Sequence, residues 1–264
     1  MVKMGDINPS LELTFLGTGT SQGIPVIGCD CEVCSSLDAR DKRLRSSLLI
    51  REKATNLQMC IDAGPDFRQQ MLAANVHHLD AVLVTHAHID HIGGLDEIRS
   101  FNYLQHKSIP VYVNSPAYDG IRAMYSYAFA AKPYPGLPEL DLRLVEDDFL
   151  IGNIKITPIE VMHYKLPVLA YRIGNFAYIT DAKTISAAER EKLIGVKTLV
   201  VNGLRRENHF SHFTLAEALQ LIAEVKPRIA YITHISHYMG LAAAVDITLP
   251  KNVMLAYDGL RIEV

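Results

Sequence analysis

Seven residues constrain this chain more than any others. They are Thr85-His86-Ala87-His88-Ile89-Asp90-His91, entered directly from the apolar run Ala81-Val82-Leu83-Val84. Three imidazoles and one carboxylate within six positions cannot sit in an apolar interior without partners, because each brings polar atoms that must be satisfied. The apolar run reads as a buried strand, and a strand end opening into a loop aims successive side chains in different directions. His86 and His88 can then face one metal ion while Asp90 and His91 face a second.

Strand-like runs recur at 11–16, 47–51, 57–61, 81–85, 111–113, 154–161, 168–173, 176–180, 198–201, 228–233 and 253–256. Many are rich in β-branched residues and bounded by Gly, Pro, Asn or Asp. Helical spacing of apolar residues falls between them, at 66–74 and 95–104. Thr214 with Glu217 forms a capping-box signature ahead of 215–225, which Pro227 closes, and Ser186 with Glu189 does the same for 187–194. Strands outnumber dispersed helices, which predicts a layered α/β sandwich with helices covering the sheets. At 264 residues, the chain is long enough for one large domain or two small ones. The segment 118–140 departs from the rest, with four aromatics followed by Tyr134 and three prolines. It reads either as a helix with an aromatic core face and a stiff loop, or as a flap over a site.

The H-x-H-x-D-H pattern resembles the metallo-β-lactamase superfamily, and the resemblance spans nearly the whole chain. It implies a single hydrolase domain over 1–264, a four-layer αββα sandwich of two mixed β-sheets with helices on the outer faces. It also implies further ligands just past later strands: His163, Asp181 in Tyr178-Ile179-Thr180-Asp181, and His234 after Tyr231-Ile232-Thr233. One metal would take His86, His88 and His163, the other Asp90, His91 and His234, with Asp181 bridging. Asp62, in Cys60-Ile61-Asp62-Ala63-Gly64, would steady the histidine loop from behind. Two divalent ions bring +4, and two carboxylates with a bridging hydroxide bring −3. Such a site suits an anionic phosphodiester, with the metal-bridging hydroxide as nucleophile and Asp90 among the catalytic residues. The nitrogen and oxygen donors admit zinc, manganese or iron, and two divalent ions, zinc or manganese, are expected.

Cys29, Cys31 and Cys34 form a C-x-C-x-x-C run. Three thiolates want a fourth donor for a closed tetrahedral zinc, and His237, three residues past His234, is the natural one. A redox pair or a disulfide is the alternative, though C-x-C geometry is poor for a disulfide and leaves an odd thiol. One structural zinc is therefore expected. Cys60 stands alone in an apolar run and reads as an inert core residue.

The stretch Phe15-Leu16-Gly17-Thr18-Gly19-Thr20-Ser21-Gln22-Gly23-Ile24-Pro25, followed by the cysteines, looks like the PhnP-like cyclic phosphodiesterase branch of the superfamily. No Lys-Ser/Thr follows these glycines, so a nucleotide P-loop is disfavoured. In that branch, and in the related tRNA 3′-processing nucleases, a histidine placed like His212 in Ser211-His212-Phe213-Thr214 protonates the leaving oxygen or holds the phosphate. A pKa near the unperturbed value of about 6.5 would suit the first task. Arg205 is a candidate for a second phosphate. His77, His78, His106 and His209 read as structural or solvent-facing.

The formal charge of −3 argues against long nucleic acid held by a general basic field, and leaves small anionic substrates open. A small phosphodiester is the expected partner. Residues 1–10 carry no apolar leader stretch, and the long uncharged run 229–245 holds His234, Ser236 and His237. A cytoplasmic location without a membrane span is expected, with thiols kept reduced. Family likeness adds the expectation of a homodimer. The alternative functions are a tRNA 3′-processing-type nuclease and a PQQ-biosynthesis-B-like metalloprotein.

Overall fold

Side chains alternate between faces along short strands, so each strand here can serve two apolar layers at once. The computed structural model describes residues 8–131 and 134–264. Residues 1–7 of the N-terminal stretch read above, and Pro133 of the aromatic and proline-rich segment, lie outside the described residues. The strands in chain order are β1 (Leu11–Gly17), β2 (Ser47–Glu52), β3 (Gln58–Ile61), β4 (Ala81–Leu83), β5 (Ile109–Val113), β6 (Leu140–Leu144), β7 (Phe149–Ile151) and β8 (Ile154–His163). They continue with β9 (Leu166–Ile173), β10 (Phe176–Ile179), β11 (Thr184–Ile185), β12 (Thr198–Asn202), β13 (Ile229–Thr233), β14 (Val253–Leu255) and β15 (Arg261–Glu263). The helices are α1 (Phe67–Ala73), α2 (Ile89–Ile92), α3 (Arg99–Gln105), α4 (Ser115–Met124), α5 (Ala187–Glu191), α6 (Leu215–Val225) and α7 (Ala242–Asp246).

One sheet runs β15-β1-β2-β3-β4-β5-β6 and the other β11-β8-β9-β10-β12-β13-β14, with β7 also paired to β8. Both are mixed. The first is antiparallel from β15 to β3 and parallel from β3 to β6. The second is antiparallel from β11 to β10 and parallel from β10 to β14. Leu13, Phe15, Ile50, Met59, Ile61 and Leu83 of the first sheet pack between the sheets against Ile156, Tyr171, Phe176, Tyr178 and Val200 of the second. The opposite faces carry Cys60, Val82, Val84 and Val111 under Phe67, Met71, Ile98, Phe101 and Ile121. On the other side Val161, Ala177, Ile179, Leu199 and Ile232 lie under Leu193, Leu215, Ala218, Leu221 and Val245. Three apolar layers between four layers of structure make the expected αββα sandwich.

The strand readings hold, with four additions at the margins. The strands β6, β11 and β15 lack an apolar run of their own, β7 is the three-residue apolar run Phe-Leu-Ile, and all four end or flank the sheets. The capping box at α6 is complete, with both the Thr214 and the Glu217 side chains bonded to backbone. At α5 it is half-formed: Ser186 caps Glu189 N–H, but the Glu189 carboxylate accepts instead from Glu160 N–H at 2.8 Å. The 95–104 pattern splits into a 3-10 turn (Leu95–Ile98) and α3. In the 118–140 segment, α4 is followed by a 3-10 turn (Ser126–Phe129), and Tyr125 is buried with its hydroxyl donating to Ile92 O at 2.7 Å. Gly120 of α4 sits so close to the histidine loop that a Cβ there would come within 2.7 Å of Ala87 Cβ. The helix with an aromatic core face is therefore the reading that fits over 115–129.

Candidate metal centre

The candidate ligands leave their strands through sharp turns at one rim of the sandwich. Asp62 follows β3 with φ 61°, Asp181 follows β10 with φ 56°, and His234 follows β13 with φ 55°. Left-handed backbone is uncommon outside glycine, with Asp and His among the residues that tolerate it, and it gathers at functional sites. The parallel register of β3 and β4 sets Asp62 beside the start of the histidine loop. Its Oδ1 accepts from Thr85 N–H at 2.8 Å, and its Oδ2 accepts from the Thr85 hydroxyl at 2.9 Å. Short helix α2 then turns Asp90 and His91 inward, both buried, while His88 stays exposed.

These residues meet. His86 Nε2 lies 2.9 Å from His88 Nδ1. His91 Nε2 lies 3.2 Å from Asp90 Oδ2 and 3.3 Å from Asp181 Oδ2. His234 Nε2 lies 3.3 Å from Asp181 Oδ1. The His163 ring stands 5.8 Å from that of His86 and 5.2 Å from that of His88, centroid to centroid. Its Nδ1 is fixed at 2.9 Å from Ser211 O, which leaves Nε2 for the centre. Two donors each about 2.1 Å from one ion and 90–110° apart would lie about 3.0–3.4 Å from each other. The donor separations given for His86, His88, Asp90, His91, Asp181 and His234 have that size. The triads whose donor atoms lie within mutual reach are His86–His91–Asp181, Asp90–His91–His234 and His163–Asp181–His212, so the second expected set is assembled, whereas His86, His88 and His163 are not drawn into one triad.

Electrostatics favour a cation there. His91 Nδ1, 2.6 Å from Asp62 Oδ2, is the donor to that carboxylate. Its buried Nε2 has no hydrogen-bond partner and faces two further carboxylates. A lone pair pointed at two carboxylates is repulsive unless a positive charge sits between them. Burial opposes a charge on His91, yet Asp181, Asp62 and Asp90 outweigh it and raise its pKa well above the ordinary value. Burial likewise works against ionised Asp181, but the imidazoles of His234, His91 and His86 hold it well below the usual carboxylate range. A divalent ion would meet the same demand for positive charge. The donor set therefore fits divalent metal.

At a second place, Cys29 Sγ and Cys31 Sγ lie 3.4 Å, and Cys34 Sγ 3.5 Å, from His237 Nδ1. A tetrahedral zinc with bonds of about 2.3 Å to sulfur and 2.0–2.1 Å to nitrogen sets S and N about 3.5 Å apart. The Cys34 backbone N–H, first among the causes, lowers Cys31 to about 6, whereas burial raises Cys34 to about 11. Cys60 lies apart and fully buried, its thiol pushed up to about 12 by burial. His234 and His237 leave one loop in different directions, one toward each cluster.

His212 is buried and sits beside the centre, its Nδ1 3.6 Å from Asp181 Oδ1 and its ring 4.5 Å from that of His163. The expectation of an unperturbed pKa fails. Burial pushes this imidazole down to about 3 despite the neighbouring Asp181. Arg205 turns its fork onto its own loop, donating to Asn208 O at 2.7 Å and Glu207 O at 3.3 Å. His209, read from sequence as structural or solvent-facing, is in fact a neighbour of the site, 5.1 Å ring to ring from His212. Sequence reasoning also passed over Thr20 and Ser46, which flank the two ring nitrogens of His234 at 3.1 Å each. His77 and His78 bond to Asn75 and Asn56, and His106 ends α3, as expected of residues outside the site.

Comparisons with known proteins agree with this architecture. The beta-lactamase superfamily domain model matches residues 58–235. A solved structure described as a new diphosphatase from the PhnP family is 35% identical, covers 97% of both chains and superposes with a TM-score of 0.89. The zinc-bound PqqB of Methylobacterium extorquens shares the fold, with a TM-score of 0.76 at 16% identity, over 96% of this chain and 100% of its own. An octanoyltransferase of Porphyromonas gingivalis is 43% identical over 250 residues, 94% of this chain, and the chain spans half the length of that relative. Among the described residues no helix is long and apolar enough to cross a membrane. The chain belongs to the beta-lactamase superfamily, and within it to the PhnP family.

Proposed function

We propose that the chain hydrolyses a small phosphodiester, preferably a cyclic one, at two divalent metal ions of zinc or manganese type. His86, His88 and His163 would hold one ion, Asp90, His91 and His234 the other, and Asp181 would serve both. The observation that carries this reading is Asp181, whose two carboxylate oxygens face different histidines at 3.3 Å. Bound there, such ions supply Lewis acidity and acidify a water at neutral pH. Asp62 keeps His91 in the tautomer that presents Nε2. His212, held neutral by burial, steadies a phosphoryl oxygen through its N–H rather than acting as a strong acid. A third ion, structural zinc, would be bound by Cys29, Cys31, Cys34 and His237. The test offers adenosine 2′,3′-cyclic phosphate and an aryl phosphodiester to protein loaded with manganese or zinc. Turnover absent from Asp181→Ala is expected, and no turnover above that control would refute the reading.

The Porphyromonas gingivalis relative, described as an octanoyltransferase and half covered by this chain, suggests a second reading, in which the same centre acts on an octanoyl thioester. Octanoyl thioester cleavage exceeding phosphodiester cleavage would favour it.

A further inference from the structure

Two loops bound the mouth of the metal centre, the turn between β8 and β9 and the segment 209–212. They are pinned together by the bond from His163 Nδ1 to Ser211 O at 2.9 Å. Each contributes one histidine inward and one aromatic outward. The inward pair is His163 and His212, with ring centroids 4.5 Å apart. The outward pair is Tyr164 and Phe210, 5.8 Å apart and edge to face. Phe210 also stacks on His209 at 4.8 Å, and His209 lies 5.1 Å from His212. A continuous path of ring contacts therefore runs from the rim to the centre.

Two features set this pair apart from scattered surface aromatics. Both remain open to solvent, Tyr164 at 59% and Phe210 at 69% relative exposure. Tyr164 also holds φ 56° at the first position of a two-residue hairpin turn, where hairpins favour glycine. A bulky residue kept in that conformation, next to a candidate ligand, points to a use for its side chain. The Lys165 ammonium lies 5.4 Å from the Tyr164 ring, adding positive charge at the same edge.

Resting on the phosphodiesterase reading, we propose that Tyr164 and Phe210 form a stacking platform that selects substrates carrying a flat aromatic base, that is, nucleoside phosphodiesters. The phosphate lies over the inner histidines while the base stacks on the outer rings. Base-on-aromatic stacking is sequence-tolerant, so the platform accepts purines and pyrimidines alike. It sets KM more than kcat, because the base is remote from the bond that breaks.

The experiment compares adenosine 2′,3′-cyclic phosphate with glycerol 1,2-cyclic phosphate, which has the same reacting ring and no base. KM is measured on manganese-loaded protein for wild type, Tyr164→Ala, Phe210→Ala and the conservative Tyr164→Phe. The wild type should favour the nucleoside compound by about tenfold or more in KM. Each alanine variant should erase most of that preference, and Tyr164→Phe should retain it. A separate calorimetric titration with AMP and ribose 5-phosphate reads base preference without turnover. If the wild type hydrolyses neither diester, the phosphodiesterase reading fails and the titration alone decides the platform: tighter AMP binding that the alanine variants lose supports it. Equal binding of the two ligands, or a preference that survives both alanine variants, overturns it. So does an alanine variant that dissolves a dimer and keeps the base preference, since the rings would then be an interface.

Discussion

Asp62 illustrates how a side chain outside the candidate ligand set can govern metal affinity. Fully buried, it accepts from Thr85 N–H and hydroxyl and from His91 Nδ1–H. Replacing it with alanine frees the His91 ring to rotate and removes the charge that favours Nε2 as a ligand. Metal affinity should fall about 10–100-fold, as read by zinc competition against a chromogenic chelator, with retained affinity refuting the role. His212 gives a prediction of a different kind, because burial holds it down to about 3 and so neutral at working pH. Its folded pKa lies below the unfolded one, so no proton leaves it between pH 5 and 9. His212→Ala should lower kcat by about 10²–10³ while leaving the shape of the kcat–pH profile in that range the same as wild type. Loss of an acidic or basic limb in the variant would show instead that His212 titrates. Which residues were legible follows from their surroundings. His86, Asp181 and His234 each sit just past an apolar strand, where a polar residue needs a reason, and Asp90 and His91 follow His86 in the same H-x-H-x-D-H run. Tyr164 and His209 carry no such contrast, since aromatic and imidazole side chains are common in turns; only the fold reveals what they stand beside.

Elements carry the second cluster. The loop from 18 to 46 has no long helix or strand of its own, and it is docked to the 236–242 segment by two kinds of tie. One is the group of Cys29, Cys31 and Cys34 around His237 Nδ1. The other is Asp41, whose carboxylate accepts from Ala242 N–H at 2.8 Å and from the Ser36 hydroxyl at 2.7 Å. A small apolar cluster, Ile24, Val33 and Cys34, with Leu241 packed against it, backs this part of the loop. Zinc binding energy would add to what holds it. Cys31→Ser should lose one zinc per chain by elemental analysis and lower Tm, whereas His86→Ala should spare that zinc. Equal zinc content in Cys31→Ser and wild type would refute the site. The C-x-C-x-x-C spacing made this element readable from sequence, and only the shared loop with His234 pointed to its distant fourth donor. The edge strands were not readable. β6 is Leu-Asp-Leu-Arg-Leu with both faces partly open, and β15 is Arg-Ile-Glu, so neither shows the apolar density by which β4 or β10 announces itself. Their pairing comes from the neighbouring strand rather than from their own composition.

For the whole molecule, closure depends on joining distant parts of the chain at the site's flank. Arg43 is buried, and its guanidinium donates to the Thr18 hydroxyl at 2.7 Å and to Ala256 O. Thr18 in turn donates to Asp258 Oδ1 at 2.7 Å, and Leu44 N–H donates to Asp258 Oδ2 at 2.6 Å. Three segments far apart in sequence are thereby held in one network. Burial pushes Asp258 up to about 6 and Arg43 down to about 10, so low solvation opposes both charges. The sign for stability follows from linkage. Asp258 binds its proton more tightly folded than unfolded, so between about pH 4 and pH 6 the native state holds more protons. Its contribution is complete below about pH 4 and is lost as pH rises through about 6, by at most about 3 kcal/mol, less where solvent reaches the carboxylate. Asp258→Asn keeps an acceptor for Thr18 and cannot titrate. Urea unfolding of metal-free protein at several pH values between 4 and 7 should therefore give a profile for wild type that falls relative to the variant across that window. If the two profiles run parallel, Asp258 is ionised throughout, and the Arg43 charge together with its two donors outweighs the burial.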